Sequence, residues 1–166
     1  MNLDIIQGYP LILGDNVSSD VILHGRYSLL GDPEEMAKHV LEDLGPELSQ
    51  KVKSCPIIVA GKNFGCGPGR EATVVALKAA GVRAVLAKSF FRMFLRNAIN
   101  QGIIPIEWEY PGDISKLHVP LEISVEKGLV KVEGQSSPFK RLPDKLMDIL
   151  NEGGLVKYAR KKLGGR

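Results

Sequence analysis

Gly61-Lys62-Asn63-Phe64-Gly65-Cys66-Gly67-Pro68-Gly69-Arg70-Glu71 is the stretch around which the rest of the chain is read. The run before it, Pro56-Ile-Ile-Val-Ala60, is short, β-branched and stopped by glycine, as a buried strand is. After it, Glu71 to Ala80 carries a helical pattern closed by Gly81. Glycines therefore cluster where a strand turns into a helix. That geometry aims backbone N–H groups and the positive end of the helix dipole at whatever sits above the loop. Arg70, at the start of the helix, adds a planar two-pronged donor suited to a carboxylate or a phosphate. An anion site is one expectation. A tight turn, in which the glycines only relieve a steric conflict, is the other. The loop lacks Gly-x-x-x-x-Gly-Lys-Ser/Thr, and Gly65-x-Gly67-x-Gly69 lacks the dinucleotide spacing, so a phosphate-binding module is disfavoured.

Outward from the loop, strand and helix alternate. Arg83 to Ala87 reads as a strand, Phe90 to Gln101 as a helix capped by Ser89 and ended by Gly102, and Ile103 to Ile106 as a further strand. This alternation predicts parallel strands with crossover helices, an α/β core. Phe90, Phe91, Phe94 and Ile99 recur at helical spacing and are expected in the core, with Arg92 and Arg96 on a solvated face. Upstream, residues 3–13 hold two apolar runs broken by Gly8 and Pro10, expected as short strands, and Asp15-Asn16 makes a turn. Ser18-Ser19-Asp20 either caps a short helical turn or ends the loop. Asp32 as N-cap and Pro33 at the first position begin a helix expected to run through Met36, Val40 and Leu44 and to stop at Gly45. Downstream, Leu121, Ile123 and Val125 alternate, Glu126-Lys127-Gly128 turns, and Val130 and Val132 alternate again, which predicts a hairpin. A final helix pair follows Pro143 and breaks near Gly153. No internal repeat or low-complexity linker divides the chain, so one domain over residues 1–166 is expected.

Composition sets bounds. The chain has 166 residues, 44% hydrophobic and 25% charged, ordinary values for a globular protein with a sizeable core. Its formal net charge of +3 owes much to the tail from Lys157 to Arg166. That tail reads as a solvated helix face; no basic stripe with interleaved aromatics points to nucleic acid. No run is long enough to span a bilayer and no signal peptide is evident, so a cytoplasmic location is expected. The two cysteines, Cys55 and Cys66, and the scattered His24, His39 and His118 form no metal-ligand spacing. No metal is expected on this chain, which lacks the thiolates for an iron–sulfur cluster.

The loop, followed by Ala76-Leu77-Lys78-Ala79-Ala80-Gly81-Val82 and Ala87-Lys88-Ser89-Phe90, resembles the small subunit of isopropylmalate isomerase. That subunit is similar to the swivelling C-terminal domain of aconitase. Two further blocks match in order: Gly14-Asp15-Asn16-Val17-Ser18-Ser19-Asp20 with Gly25-Arg26-Tyr27, and Arg96-Asn97-Ala98-Ile99-Asn100-Gln101-Gly102. The resemblance implies a swivelling β/β/α domain with a parallel-strand core and a C-terminal hairpin. It implies one subunit of a hydro-lyase that isomerises 2-isopropylmalate to 3-isopropylmalate by dehydration and rehydration, in leucine biosynthesis. The expected partner is a cluster-bearing large subunit, in a heterodimer or heterotetramer, with the [4Fe-4S] cluster on that subunit and a small hydroxy-dicarboxylic acid as substrate.

The same resemblance assigns residues. Asp20 and Arg70 are implied as catalytic, Asp20 by pairing with a histidine of the large subunit. Arg70 and the N–H groups of Gly65, Cys66, Gly67, Pro68 and Gly69 (proline having none) form the implied carboxylate cradle, and Arg26 holds a second carboxylate. Leu29 stands in the loop that reads the substrate's variable group. Homoaconitases place an arginine there for an extra carboxylate; a leucine favours an alkyl group, since a buried carboxylate would go unpaired. Leu29 and Leu30 as core residues are the competing expectation. One departure stands out. The family usually reads Gly-Ser-Ser-Arg-Glu-His, its first serine taken as the base, whereas this chain reads Gly67-Pro68-Gly69-Arg70-Glu71-Ala72. Proline has neither hydroxyl nor N–H. Cys66, Thr73 and Ser89 are the nearby protic side chains. The alternatives are therefore a homoaconitase-like or other hydroxy-acid dehydratase subunit, or a non-catalytic carboxylate-binding or regulatory relative.

Overall fold

The computed structural model describes residues 5–164, so the ends of the first apolar run and of the basic tail lie outside the described residues. Four parallel strands form its centre: β2 (Pro10–Ile12), β3 (Ile57–Ala60), β4 (Ala84–Ala87) and β5 (Ile104–Glu107), in spatial order β2-β3-β4-β5. Each strand is Val-, Ile-, Leu- or Ala-rich because both of its faces are covered. Along β3 the alternation decides which face: Ile58 and Ala60 join one buried cluster, Ile57 and Val59 the other. The first cluster takes in Ile22, Met36, Val74 and Leu77 from the helices α1 (Ser19–Ile22), α2 (Pro33–Ala37) and α4 (Glu71–Ala79). The second is closed by a four-stranded antiparallel sheet.

That second sheet has the order β1-β6-β7-β8, with β1 at Ile5–Gly8, β6 at Leu121–Ser124, β7 at Leu129–Val132 and β8 at Gln135–Pro138. The expected hairpin is present as β6–β7, with Leu121 opposite Val132 and Ile123 opposite Val130. It forms the middle of the sheet: β1 adds one edge and β8, polar and exposed, the other. The two short N-terminal strands are thus real but belong to different sheets. Gly8, whose position admits no Cβ beside Pro56, is where the chain passes from one to the other. The layering is helices, parallel sheet, antiparallel sheet, the β/β/α arrangement expected. The helices α6 (Asp144–Asn151) and α7 (Leu155–Lys162) follow; Met147 and Leu150 of α6 join the second cluster.

Two expected helices are corrected. The one from Asp32 ends at Ala37, because Leu41 adopts φ 59° and sends its N–H to Ile22 O at 2.9 Å. A 3-10 turn, Glu42–Leu44, follows, and Gly45-Pro46 starts a further helix, α3 (Pro46–Lys51). The helix expected from Phe90 begins instead at Arg92 (α5, Arg92–Gln101), without a side-chain cap. Phe90 is held extended by pairing with Phe64, and Ser89 Oγ accepts from Asn63 N at 2.8 Å rather than capping the helix. Gly102, at φ 84°, ends α5 as expected.

Candidate functional site

Ligands of open parallel sheets bind beyond the carboxyl ends of the strands, and three such ends meet here. The segment after β2 runs 13–18, the one after β3 is the glycine loop, and the one after β4 is Lys88-Ser89-Phe90. They are laced by main-chain bonds: Gly61 N to Gly14 O (3.1 Å), Asn16 N to Lys62 O (2.8 Å), Lys88 N to Gly61 O (3.0 Å), Phe64 N to Ser89 O (3.0 Å) and Ser19 N to Cys66 O (2.7 Å). The Asp15 carboxylate accepts from Lys62 N at 2.7 Å. The turn at Asp15-Asn16 is therefore a brace for the glycine loop.

The tight-turn expectation for that loop holds. Gly65, Gly67 and Gly69 have φ of 77°, 98° and 65°, which side-chain-bearing residues rarely adopt. At Gly65 a Cβ would also lie 2.3 Å from Phe94, so the loop sits directly on the aromatic core formed by Phe64, Phe90 and Phe94. Its amides do not all face outward. Gly65 N donates to Val17 O at 2.8 Å and Gly69 N points at Ser19 Oγ at 3.4 Å, so the expected cradle of loop N–H groups is corrected at these two positions. Asn97 Nδ2 holds Gly69 O at 3.0 Å from α5. These restraints deliver Arg70 to the N-terminus of α4, where Glu71 and Ala72 open the first helical turn and Thr73 N turns back to Arg70 O at 3.3 Å.

Arg70 does not stand alone there. Ser18 caps α1 by accepting from Val21 N, which settles the earlier choice in favour of a cap and places Asp20 in the first turn. Asp20 Oδ1 lies 2.8 Å from Arg70 Nη1, with the two side chains 46% and 37% exposed. Gly25 lies beneath the guanidinium; a Cβ there would be 2.6 Å from Arg70 Nη1. The N-terminal block and the loop block thus converge at Asp20, Gly25 and Arg70, and Arg26 follows Gly25 in the chain.

Arg26 and Leu29 lie on the 3-10 turn Gly25–Leu29. Leu29 is 89% exposed and Leu30 47%, which rules out a core role for either. Arg26 Nη2 reaches Glu42 Oε1 at 3.0 Å, and its guanidinium lies over the Tyr27 ring, 4.7 Å from the centroid. Tyr27 OH donates to the same Glu42 oxygen, while His39 Nδ1 is 2.5 Å from the other. The Tyr27 and His39 rings stack at 3.7 Å. Hydrogen bonds from Tyr27, His39 and Arg26 together hold the Glu42 carboxyl down to about 2, against 4.5 ordinarily. In turn, the bond to Glu42 raises the Tyr27 phenol, and Arg26 is raised by Tyr27 and Glu42. Glu42 escaped the reading of the sequence, and His39 entered it only as a scattered histidine. Their only local signal is the three-residue spacing between them; the link to Arg26 and Tyr27 is tertiary.

Of the other protic side chains, Thr73 is buried and points its Oγ1 at Ser19 O (3.4 Å), and Ser89 is engaged with Asn63. Cys66 stays half-buried in the loop with Sγ 3.6 Å from Asn16 O, while Pro68 is exposed. Cys55 is buried in the core, away from any set of ligands; among the described residues no group of three or more His, Cys, Asp or Glu side chains fits a metal. A cavity of about 440 Å³, lined by Tyr110, Val132 and Ser136 among others, includes none of Asp20, Gly25, Arg26 and Arg70. No helix among the described residues is long and apolar enough to cross a membrane.

The chain is similar to known proteins over most of its length. Residues 36–111 match the model of the aconitase C-terminal domain. A 3-isopropylmalate dehydratase small subunit from Archaeoglobus fulgidus is 46% identical over 149 residues, 89% of this chain and 92% of that one. The chain belongs to the 3-isopropylmalate dehydratase small-subunit family. A second member, from Methanopyrus kandleri, is 42% identical over 96% of this chain and 95% of its own. A crystal structure of 3-isopropylmalate dehydratase from Methanocaldococcus jannaschii superposes with a TM-score of 0.88 at 38% identity, covering 96% of this chain and 95% of that one. The match to these small subunits spans Asp20, Arg26 and the glycine loop alike, so these residues lie within the part shared with the family.

Proposed function

We propose that this chain is the small subunit of a two-subunit hydro-lyase of leucine biosynthesis that isomerises 2-isopropylmalate to 3-isopropylmalate. The reaction removes a hydroxyl and a proton from adjacent carbons as water and returns water in the opposite sense, so the hydroxyl moves by one carbon. In this reading the face bearing Asp20, Gly25, Arg26 and Arg70 is completed by the larger, cytoplasmic partner subunit. That subunit carries the [4Fe-4S] cluster, whose contribution is Lewis-acid polarisation of the leaving hydroxyl, and no residue of this chain is assigned to it. The observation that carries the reading is the Asp20–Arg70 pair at the carboxyl ends of the parallel strands.

Arg70 is set to bind one substrate carboxylate. Its guanidinium has five donors, and Asp20 engages one end. Asp20 keeps the fork from swinging away before substrate arrives, and Arg26 offers a second cation for the other carboxylate. Leu29, exposed rather than packed, supports contact with the isopropyl group and disfavours an additional carboxylate as in homoaconitases. Pro68 withdraws position 68 from proton transfer, while Cys66 keeps a partly accessible thiol in the loop. The test is turnover of 2-isopropylmalate by the assembled two-subunit complex, with Arg70→Lys alongside. Lysine keeps the charge and loses the fork, so kcat/KM should fall by at least about tenfold; an unchanged value would remove Arg70 from the site.

A further inference from the structure

Glu42 sits where neither the catalytic pair nor the glycine loop requires it, yet the surrounding chain is bent to place it. Leu41, immediately before it, is a fully buried non-glycine residue at φ 59°, anchored by its N–H to Ile22 O in the same short helix that carries Asp20. Backbone held in that sparsely populated region persists only where surrounding structure fixes it. The result is a carboxylate that uses both oxygens: Oε1 takes Arg26 and Tyr27, Oε2 meets His39. Arg26, Tyr27 and His39 form three tiers, guanidinium on phenol on imidazole, and Glu42 ties them along one edge. A surface arginine 59% exposed would otherwise sample many rotamers.

We propose that Glu42 is a positioning residue for substrate selection: it fixes Arg26 toward the second carboxylate of the substrate and, through Tyr27, sets the loop that presents Leu29. This rests on the substrate-binding role given to Arg26 above. Arg26 engages Glu42 through one terminal nitrogen, so donors remain for a substrate carboxylate. Glu42 itself touches no substrate. Its contribution is that the guanidinium is already ordered when substrate arrives, which lowers KM more than it raises kcat.

Two measurements test this on Glu42→Gln, which keeps the shape and removes the charge. In the assembled complex, Glu42→Gln should raise KM for 2-isopropylmalate roughly tenfold with kcat within about twofold. Arg26→Ala should do at least as much, and the double variant should be no worse than Arg26→Ala alone. In the full-length chain, side-chain NMR of the Arg26 guanidinium should show restricted rotation that Glu42→Gln releases. An unchanged KM in Glu42→Gln, or additive losses in the double variant, overturns the positioning role. If the unaltered complex fails to turn over 2-isopropylmalate, the substrate reading falls and the NMR comparison alone decides the placement of Arg26: identical rotation in both chains refutes it.

Discussion

Asp20 and Arg70 meet at 2.8 Å although one opens α1 and the other stands before α4. Their meeting depends on Gly25, whose missing side chain is the space the guanidinium fills. Gly25→Ala puts a methyl group 2.6 Å from Arg70 Nη1, and the flexible arginine head yields before the backbone does. The expected outcome is a thermal midpoint close to that of the unaltered chain and a loss of about a hundredfold in kcat/KM of the assembled complex. Equal activity in the two complexes would show that the position of Arg70 is not used.

Gly65→Ala should act in the opposite way, through stability. The residue has φ 77°, and an added Cβ lies 2.3 Å from Phe94 in the core. Left-handed strain costs about 1–2 kcal/mol and overpacking about 1–3 kcal/mol, so a loss of roughly 2–5 kcal/mol is expected in urea unfolding. A loss below about 0.5 kcal/mol, the range of neutral surface changes, contradicts the loop's seat on the aromatic core.

Glu42 makes stability depend on acid pH. Its carboxyl is lowered from 4.5 to about 2 in the folded chain, so the unfolded chain takes up its proton first. The contribution is present above 4.5 and is lost as pH falls through about 2. Unfolding measured across that window should show a shallower pH dependence in Glu42→Gln than in the unaltered chain. Matching slopes would mean that the contacts of Tyr27, His39 and Arg26 to this carboxylate do not persist in solution.

Lys78 joins the C-terminal helices to the body of the fold. Its ammonium reaches Gln101 O at 2.5 Å and Gly153 O at 3.1 Å, carbonyls at the ends of α5 and α6. Cations at helix C-termini are favourable there, while burial, and to a smaller extent Lys157, lower its proton affinity. Lys78→Met leaves both carbonyls without this donor and should cost about 1–3 kcal/mol, seen as earlier proteolysis of the C-terminal helices. Unchanged proteolysis would assign the attachment to the close backbone approach of Gly102 and Gly153.

What was legible in the sequence was what local pattern controls. Ile57–Ala60, Glu71–Ala79 and the hairpin carried their periods and their glycine stops, and the family blocks singled out Asp20 and Arg70, which the fold brings into contact. What was not legible depended on distant partners. Gln135–Pro138 is a polar edge strand without alternation, so only its pairing to β7 reveals it. Ser89 has cap chemistry, but Asn63 claims its oxygen. Leu41 reads as helical until its N–H is taken by Ile22. Gly45-Pro46 is the exception, a helix start that the sequence did signal. Glu42 reaches Arg26 and Tyr27, which no periodicity connects to it.

The most direct test of the central claim is the steady-state turnover of 2-isopropylmalate by this chain assembled with its cluster-bearing large subunit, compared with the same complex carrying Pro68→Ser. Turnover by the unaltered complex is the predicted result, and it places the proton-transferring group somewhere other than position 68. An inert unaltered complex alongside an active Pro68→Ser complex would contradict it, and would leave this chain a carboxylate-binding relative whose catalysis the proline had ended.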